Sequence, residues 1–130
     1  MKTKILMAVG ITLLCFTPLA FADDAGLSNQ YSTCMDKSAG ITTNMLDCIG
    51  TETKRQDSRL NKAYKEVMGQ LSPARKKQLL EAQRAWIKYR DANCNFYADP
   101  DGGTIATVNS SECFLSTTAA RAKELEGLKE

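Results

Sequence analysis

The stretch Ser72-Pro73-Ala74-Arg75-Lys76-Lys77-Gln78-Leu79-Leu80-Glu81-Ala82-Gln83-Arg84-Ala85-Trp86-Ile87-Lys88-Tyr89-Arg90-Asp91-Ala92-Asn93-Cys94 decides the fold. Ser72 suits an N-cap, and Pro73 suits the first helical position, whose N–H has no intrahelical partner in any case. From there Leu79, Leu80, Gln83, Trp86, Ile87, Arg90 and Cys94 recur at helical spacing and predict a helix to about Tyr97. Upstream, from Asp57, a second stripe of Leu60, Asn61, Tyr64, Val67, Met68 and Leu71 has the same period. Only Ser72-Pro73 separates the two, and so short a connection predicts an antiparallel hairpin. Positions whose numbers sum to about 144 then face each other, which sets Tyr64 near Leu80, Asn61 near Gln83 and Asp57 within about one turn of Arg90. A buried polar group without a partner costs on the order of 1 to 3 kcal/mol, so Asp57 with Arg90 and Asn61 with Gln83 are the expected polar pairs of the seam. The functional alternative for Arg90 is an anion or substrate anchor beside Trp86.

Working outward, Asn109-Ser110-Ser111-Glu112 offers a capping box for a third helix carrying Leu115, Ala119, Ala122, Leu125 and Leu128 on one face. Its alanines permit close packing. Leu27 to Lys37 predicts a short helix that Gly40 ends, and Thr42 or Thr43 is placed to cap the long segment that follows. No strand-like alternation, internal repeat or linker interrupts these segments. The expected fold is all-α: a small helical bundle built on an antiparallel helix hairpin plus a C-terminal helix.

The first residues bear on compartment. Met1-Lys2-Thr3-Lys4 is a short basic start, Ile5 to Leu19 is mostly apolar, and Ala20-Phe21-Ala22 has small residues where signal peptidase needs them. This predicts a signal peptide over residues 1–22, a mature domain over residues 23–130, and a periplasmic location. The apolar run is too short for a comfortable transmembrane helix, so no membrane span is expected in the mature protein. Thr12-Leu13-Leu14 lacks the small residue usually found beside a lipidated cysteine, so Cys15 is expected to leave with the signal. Loss of Lys2 and Lys4 leaves 15 basic against 15 acidic residues, and the formal +2 charge of the full chain falls to zero. A neutral domain whose longest cationic cluster is Arg75-Lys76-Lys77 lacks the footprint of a nucleic-acid binder.

A chain of 130 residues less 22 leaves 108, one domain with a thin core that needs reinforcement. Cys34, Cys48, Cys94 and Cys113 supply it, since an even number in a short exported chain indicates disulfides, with three possible connectivities. Local order favours Cys34 with Cys48 and Cys94 with Cys113. Ser38-Ala39-Gly40 breaks the chain inside the first pair and Asp99-Pro100-Asp101-Gly102-Gly103 inside the second, so each can fold back within the roughly 7 Å that a disulfide spans. A zinc site would want close C-x-x-C pairs, which are absent.

Chemistry is constrained by what is missing. The chain has no histidine, which removes Ser-His-Asp and Cys-His schemes and histidine-bearing metal sites. Carboxylate pairs remain, as a glycosidase requires, but no spacing singles one out. Gly102-Gly103 is followed by no Gly-Lys-Ser/Thr and is no phosphate loop. The expectation is a binding protein with no catalytic residues, no cofactor and no metal.

Ala98 to Val108 is the longest irregular segment, with Cys94 and Cys113 placed to fix its two ends. Asp99, Asp101, Gly102 and Gly103 within it are the candidate partner-binding residues, although Asp-Pro-Asp-Gly-Gly is equally ordinary turn chemistry. The two aspartates suit a cationic partner surface better than an acidic one.

Three runs carry a resemblance: Asp57-Ser58-Arg59-Leu60-Asn61-Lys62-Ala63-Tyr64; Leu80 through Cys94 as quoted above; and Cys113 with Thr118-Ala119-Ala120-Arg121-Ala122-Lys123-Glu124-Leu125. Together they resemble the LprI-type lysozyme-inhibitor domain over nearly all of the mature chain, most specifically in Gln83, Trp86, Arg90 and Cys94 with Leu60-Asn61 and Tyr64 ahead of them. The resemblance implies an exported helical domain with paired cysteines and a protein partner, a lysozyme-like enzyme. The matching residues are those assigned to the core, so they speak for the fold more than for the partner. Inhibition of a peptidoglycan hydrolase by cleft occlusion is therefore weighed against two alternatives. One is an immunity protein that neutralises a toxin enzyme from competing bacteria, the other an envelope protein with a structural or stress role.

Overall fold

The structure is a computed structural model that describes residues 26–129. The expected signal peptide over residues 1–22 and its cut after Ala22 lie outside the described residues. Four helices follow one another: α1 Asn29–Lys37, α2 Thr42–Gln70, α3 Pro73–Phe96 and α4 Gly103–Glu126. No strand occurs among the described residues, and none of their helices is long and apolar enough to cross a membrane.

The stops and starts follow from local chemistry. Ser28 caps α1, its hydroxyl accepting from Tyr31 N at 3.1 Å, and the turn through Ala39 and Gly40 ends that helix. Neither threonine caps α2. Ile41 takes the N-cap position without a side-chain bond, and Thr42 is already helical. Ser72 takes the extended N-cap position of α3 with Pro73 inside the first turn, as the sequence predicts, but its hydroxyl makes no capping bond.

Two expectations need correcting. The third long helix begins at Gly103 rather than at Asn109, so Asn109-Ser110-Ser111-Glu112 is helix interior and the irregular segment ends at Gly102. Leu128 lies beyond the end of α4 and is half exposed. The antiparallel α2–α3 hairpin is present, but its two helices do not pack along a common seam: α4 packs along α2 and also against α3, while α2 and α3 have almost no direct contact. Ala119 and Ala122 at 0% exposure and Thr118 at 1% show why. Small side chains let the α4 backbone come close to α2, and α4 is buried on more than one side, as an element wedged between two others must be. The register built on an α2–α3 seam therefore fails.

Ile49, Val108 and Leu115 form one cluster, while Leu60, Ala63, Ala122 and Leu125 form another. These pairings make α2 and α4 parallel, with α3 antiparallel to both. Tyr64, Leu79 and Trp86 close over the second cluster, and Tyr31, Met35, Met45 and Leu46 over the first. Each fully buried leucine here contributes about 1.5 to 3 kcal/mol. By contrast, α3 buries only Gln83 and Cys94 completely, so it is the most lightly held of the long helices.

Both expected disulfides are present, with Cα–Cα distances of 5.7 Å for Cys34–Cys48 and 5.3 Å for Cys94–Cys113. The first fixes α1 to α2. There Glu52, its side chain 1% exposed, accepts from Ser28 N at 2.9 Å, Ser28 Oγ at 2.7 Å and Gln56 Nε2 at 2.7 Å. Burial alone would raise the Glu52 carboxyl, but the bonds from Ser28 and Gln56 and the nearby Arg55 hold it below the ordinary carboxylate value. Tyr31 donates its hydroxyl to Glu112 of α4, and burial together with that carboxylate pushes the phenol well up.

Candidate functional site

The second disulfide fixes the end of α3 to α4 and so anchors the turn between them. After Cys94, the carbonyls of Cys94 and Asn95 accept from Tyr97 N and Ala98 N and unwind α3 in a tight last turn. Asp99 then organises the connection, its Oδ1 accepting from Asp101 N at 2.9 Å and its carbonyl from Gly102 N at 3.0 Å. Both glycines are demanded by geometry. A Cβ on Gly102 would sit 2.8 Å from Ala106 Cβ, and Gly103 has φ +65°, in the left-handed region that other residues avoid. Of the expected partner-binding residues, Asp99, Asp101 and Gly103 are exposed while Gly102 is half-buried.

Apolar side chains surround this turn on the outside. Phe96 is 81% exposed, Ile105 58% and Tyr97 46%, and the rings of Phe96 and Tyr97 meet edge to face with centroids 5.8 Å apart. Two helical turns earlier Tyr89 is 62% exposed. The stripe through Trp86 and Cys94 does not include these residues, and that was their signal: large apolar residues off the buried stripe of an amphipathic helix must face outward. Exposed aromatics clustered beside carboxylates have the composition that the energetic centres of protein interfaces favour.

The α3–α4 seam behind the turn replaces the expected polar pairs. Arg90 bonds Asp91 at 2.8 Å rather than Asp57, and its guanidinium lies 5.0 Å from the Trp86 ring centroid and 5.5 Å from that of Phe114. Stacked in this way and bonded to Asp91, it supports the α3–α4 seam. Gln83 accepts from Arg121 Nε at 3.0 Å, not from Asn61. Asn61 instead donates to Asp57 one turn back on the exposed face of α2, at 3.1 Å. The physical reason is the same in each case: α4 stands where α2 was expected, so the polar residues of α3 find partners on α4 or on α3 itself. Farther along, Arg59 holds Glu126 through two bonds of 2.8 and 2.6 Å, which keeps the Glu126 carboxyl below its ordinary value. No group of acidic or cysteine side chains among the described residues is placed to hold a metal.

The model of the family Lysozyme inhibitor LprI matches residues 34–125. A relative from Rhizobium meliloti (strain 1021), "Uncharacterized protein R02472", is 30% identical over 97 residues, covering 64% of this chain and 70% of its own. No solved structure matches the chain. The family match runs from the first cysteine of one disulfide to the last buried leucine of α4, through both bridges and the α3–α4 turn, and on that footing the chain belongs to the LprI lysozyme inhibitor family.

Proposed function

We propose that this is an exported, periplasmic protein that binds a peptidoglycan hydrolase such as lysozyme and occludes its glycan cleft with the turn between α3 and α4. The observation that carries this reading is the concentration of exposed Phe96, Tyr97 and Ile105 around a turn whose base is a disulfide. Family membership supports inhibition of lysozyme as the activity. Ordering the turn in advance lowers the entropy lost on binding. Phe96 and Tyr97 supply apolar area, and the Tyr97 hydroxyl is a donor for the carboxylate pair on which a muramidase depends. Asp99 and Asp101 attract the cationic rim, while Gly102 and Gly103 give the turn its shape.

The test is lysis of a peptidoglycan suspension by a cationic lysozyme in the presence of the oxidised mature protein. Wild type should inhibit at micromolar concentration, and Phe96→Ala with Tyr97→Ala should weaken inhibition at least about tenfold without altering the fold. Full inhibition by that variant would move the site to another face. No inhibition by wild type would favour a toxin enzyme as target, or a scaffold role.

A further inference from the structure

Beside the turn, α3 and α4 leave an open groove of about 480 Å3, a volume suited to a small ligand. Asn93 on α3 and Tyr97 just past its end line one side, Asn109, Glu112, Ser116 and Thr117 line the other from α4, and Cys113 of the disulfide forms part of the wall. We propose that this groove binds a neutral saccharide bearing N-acetyl groups. No lysine or arginine lines it, so it offers nothing to a phosphate or a nucleic acid. Its one carboxylate, Glu112, already accepts from Tyr31, and the other lining groups are amides, hydroxyls and an aromatic ring, a poor lining for a lipid tail.

The complement of such a lining is a ligand rich in hydroxyls and amides that also has an apolar face. A pyranose ring has both. Tyr97, about half exposed, offers its ring to the C–H face of the sugar. The carboxamides of Asn93 and Asn109 each present a donor and an acceptor, the pattern that pairs with an N-acetyl amide. They are free to do so: the Asn109 carboxamide and the Tyr97 hydroxyl make no hydrogen bond within the described residues, and the Asn93 carboxamide makes only a long contact of 3.5 Å to Cys113 Sγ. The wall is rigid, because the disulfide joins the two helices that supply these groups.

This groove shares Tyr97 with the turn proposed to enter the hydrolase cleft, but the proposal does not require inhibition, and a titration and a lysis assay report on the two separately. Titration of the oxidised protein with N,N′,N″-triacetylchitotriose, followed by 1H–15N NMR, should give saturable shifts of the Asn93 and Asn109 side-chain amides and of the Glu112 and Cys113 backbone. The midpoint should lie near or below about 1 mM, as befits an open groove, and maltotriose should bind at least about tenfold more weakly. Asn93→Ala and Asn109→Ala should each weaken binding several-fold, and together abolish it, with the remaining spectrum unchanged. Absence of saturable shifts up to about 10 mM overturns the proposal. So does equal binding of maltotriose, undiminished binding by the double variant, or displacement of the same resonances by trialanine, which would make the groove a peptide site.

Discussion

The two flanks of α4 carry the same covalent device and use it differently. On the α1 flank, Cys34–Cys48 fastens a segment whose polar groups are satisfied within the protein: Glu52 takes its bonds from Ser28 and Gln56, and Tyr31 gives its hydroxyl to Glu112. On the α3 flank, Cys94–Cys113 fastens a turn that leaves Phe96, Tyr97 and Ile105 in solvent and the Asn109 amide unengaged. A satisfied network stabilises; an unsatisfied, pre-ordered surface is available to a partner. The difference teaches that a disulfide in so small a domain does not itself mark a binding site, and that the state of the side chains around it does.

Removing the bridges should have the largest effect and should separate the flanks. The closed loops span 14 and 19 residues, so the chain-entropy model makes the two bridges equal to within about 0.3 kcal/mol. Cys34→Ser with Cys48→Ser and Cys94→Ser with Cys113→Ser should each lower stability by about 2 to 5 kcal/mol in urea unfolding. Lysozyme inhibition, measured at a temperature where both remain folded, should fall only in the second. Equal loss in both would mean that inhibition follows global stability and not the turn.

The next effect belongs to the buried carboxylate. Glu52→Ala removes the acceptor of the Ser28 N–H and hydroxyl and of one N–H of the Gln56 amide, whose bond to the Gly26 carbonyl remains, and should cost about 1 to 3 kcal/mol, with inhibition unchanged. Because the folded protein holds the Glu52 carboxyl below its ordinary value, its stabilisation is fully present above the unfolded value of about 4.3 and is lost as pH falls through the folded one. Wild type should therefore lose more stability than Glu52→Ala between neutral pH and about pH 3. Parallel acid profiles for the two proteins would show that the bonds to Ser28 are not what lowers this carboxyl.

How far the sequence carried this comparison depends on what held each element. Ser72-Pro73 marks a boundary because a proline N-terminus is a local matter, and the two disulfides were legible because chain breaks inside each pair limit what the cysteines can reach. The register of α2 against α3 was not legible, because it depends on a competitor. The buried positions of α4 include Ser110, Thr118 and Arg121 among small apolar residues, so hydrophobic periodicity understates how much of that helix is enclosed. For the same reason its first turns, with Thr104, Thr107 and Asn109, looked irregular when they are helical. The aspartates of the turn were found by composition. Phe96 and Tyr97 were passed over because the reading followed the buried stripe of α3, to which they do not belong, and Ile105 because it fell in a segment read as an irregular loop and valued only for its aspartates and glycines.

One substitution made on both flanks sharpens the contrast further. Tyr31→Phe removes the donor to Glu112 and should cost about 1 kcal/mol of stability with no change in inhibition. Its phenol is held protonated, so the contribution is fully present below the ordinary value of 10.0 and is lost as pH rises above it, an alkaline loss that Tyr31→Phe should lack. Tyr97→Phe should leave stability within about 0.5 kcal/mol, since Tyr97 is about half exposed and its hydroxyl has no partner among the described residues, and should weaken inhibition several-fold. Were Tyr97→Phe to inhibit as well as wild type, the phenol would not be the donor at the cleft, and the ring alone would be the contact.

The smallest expected effect concerns the charges of the turn. Asp99→Asn with Asp101→Asn removes two negative charges, while an asparagine at position 99 keeps an Oδ1 to accept from the backbone N–H of residue 101, so the turn should persist. Exposed charges at an interface rim act chiefly on the encounter: they raise the association rate with an oppositely charged partner and contribute little once contact is made. At physiological ionic strength the screening length is about 8 Å, so the two carboxylates steer only a lysozyme that is already near. The double variant should therefore associate a few-fold more slowly with a cationic lysozyme at low salt, dissociate at the wild-type rate, and converge on wild type as salt is added, all measurable by stopped-flow or surface plasmon resonance. A change confined to dissociation would place Asp99 and Asp101 inside the contact and not at its rim. No change in either rate at low salt would remove them from the partner surface and leave its apolar residues Phe96, Tyr97 and Ile105.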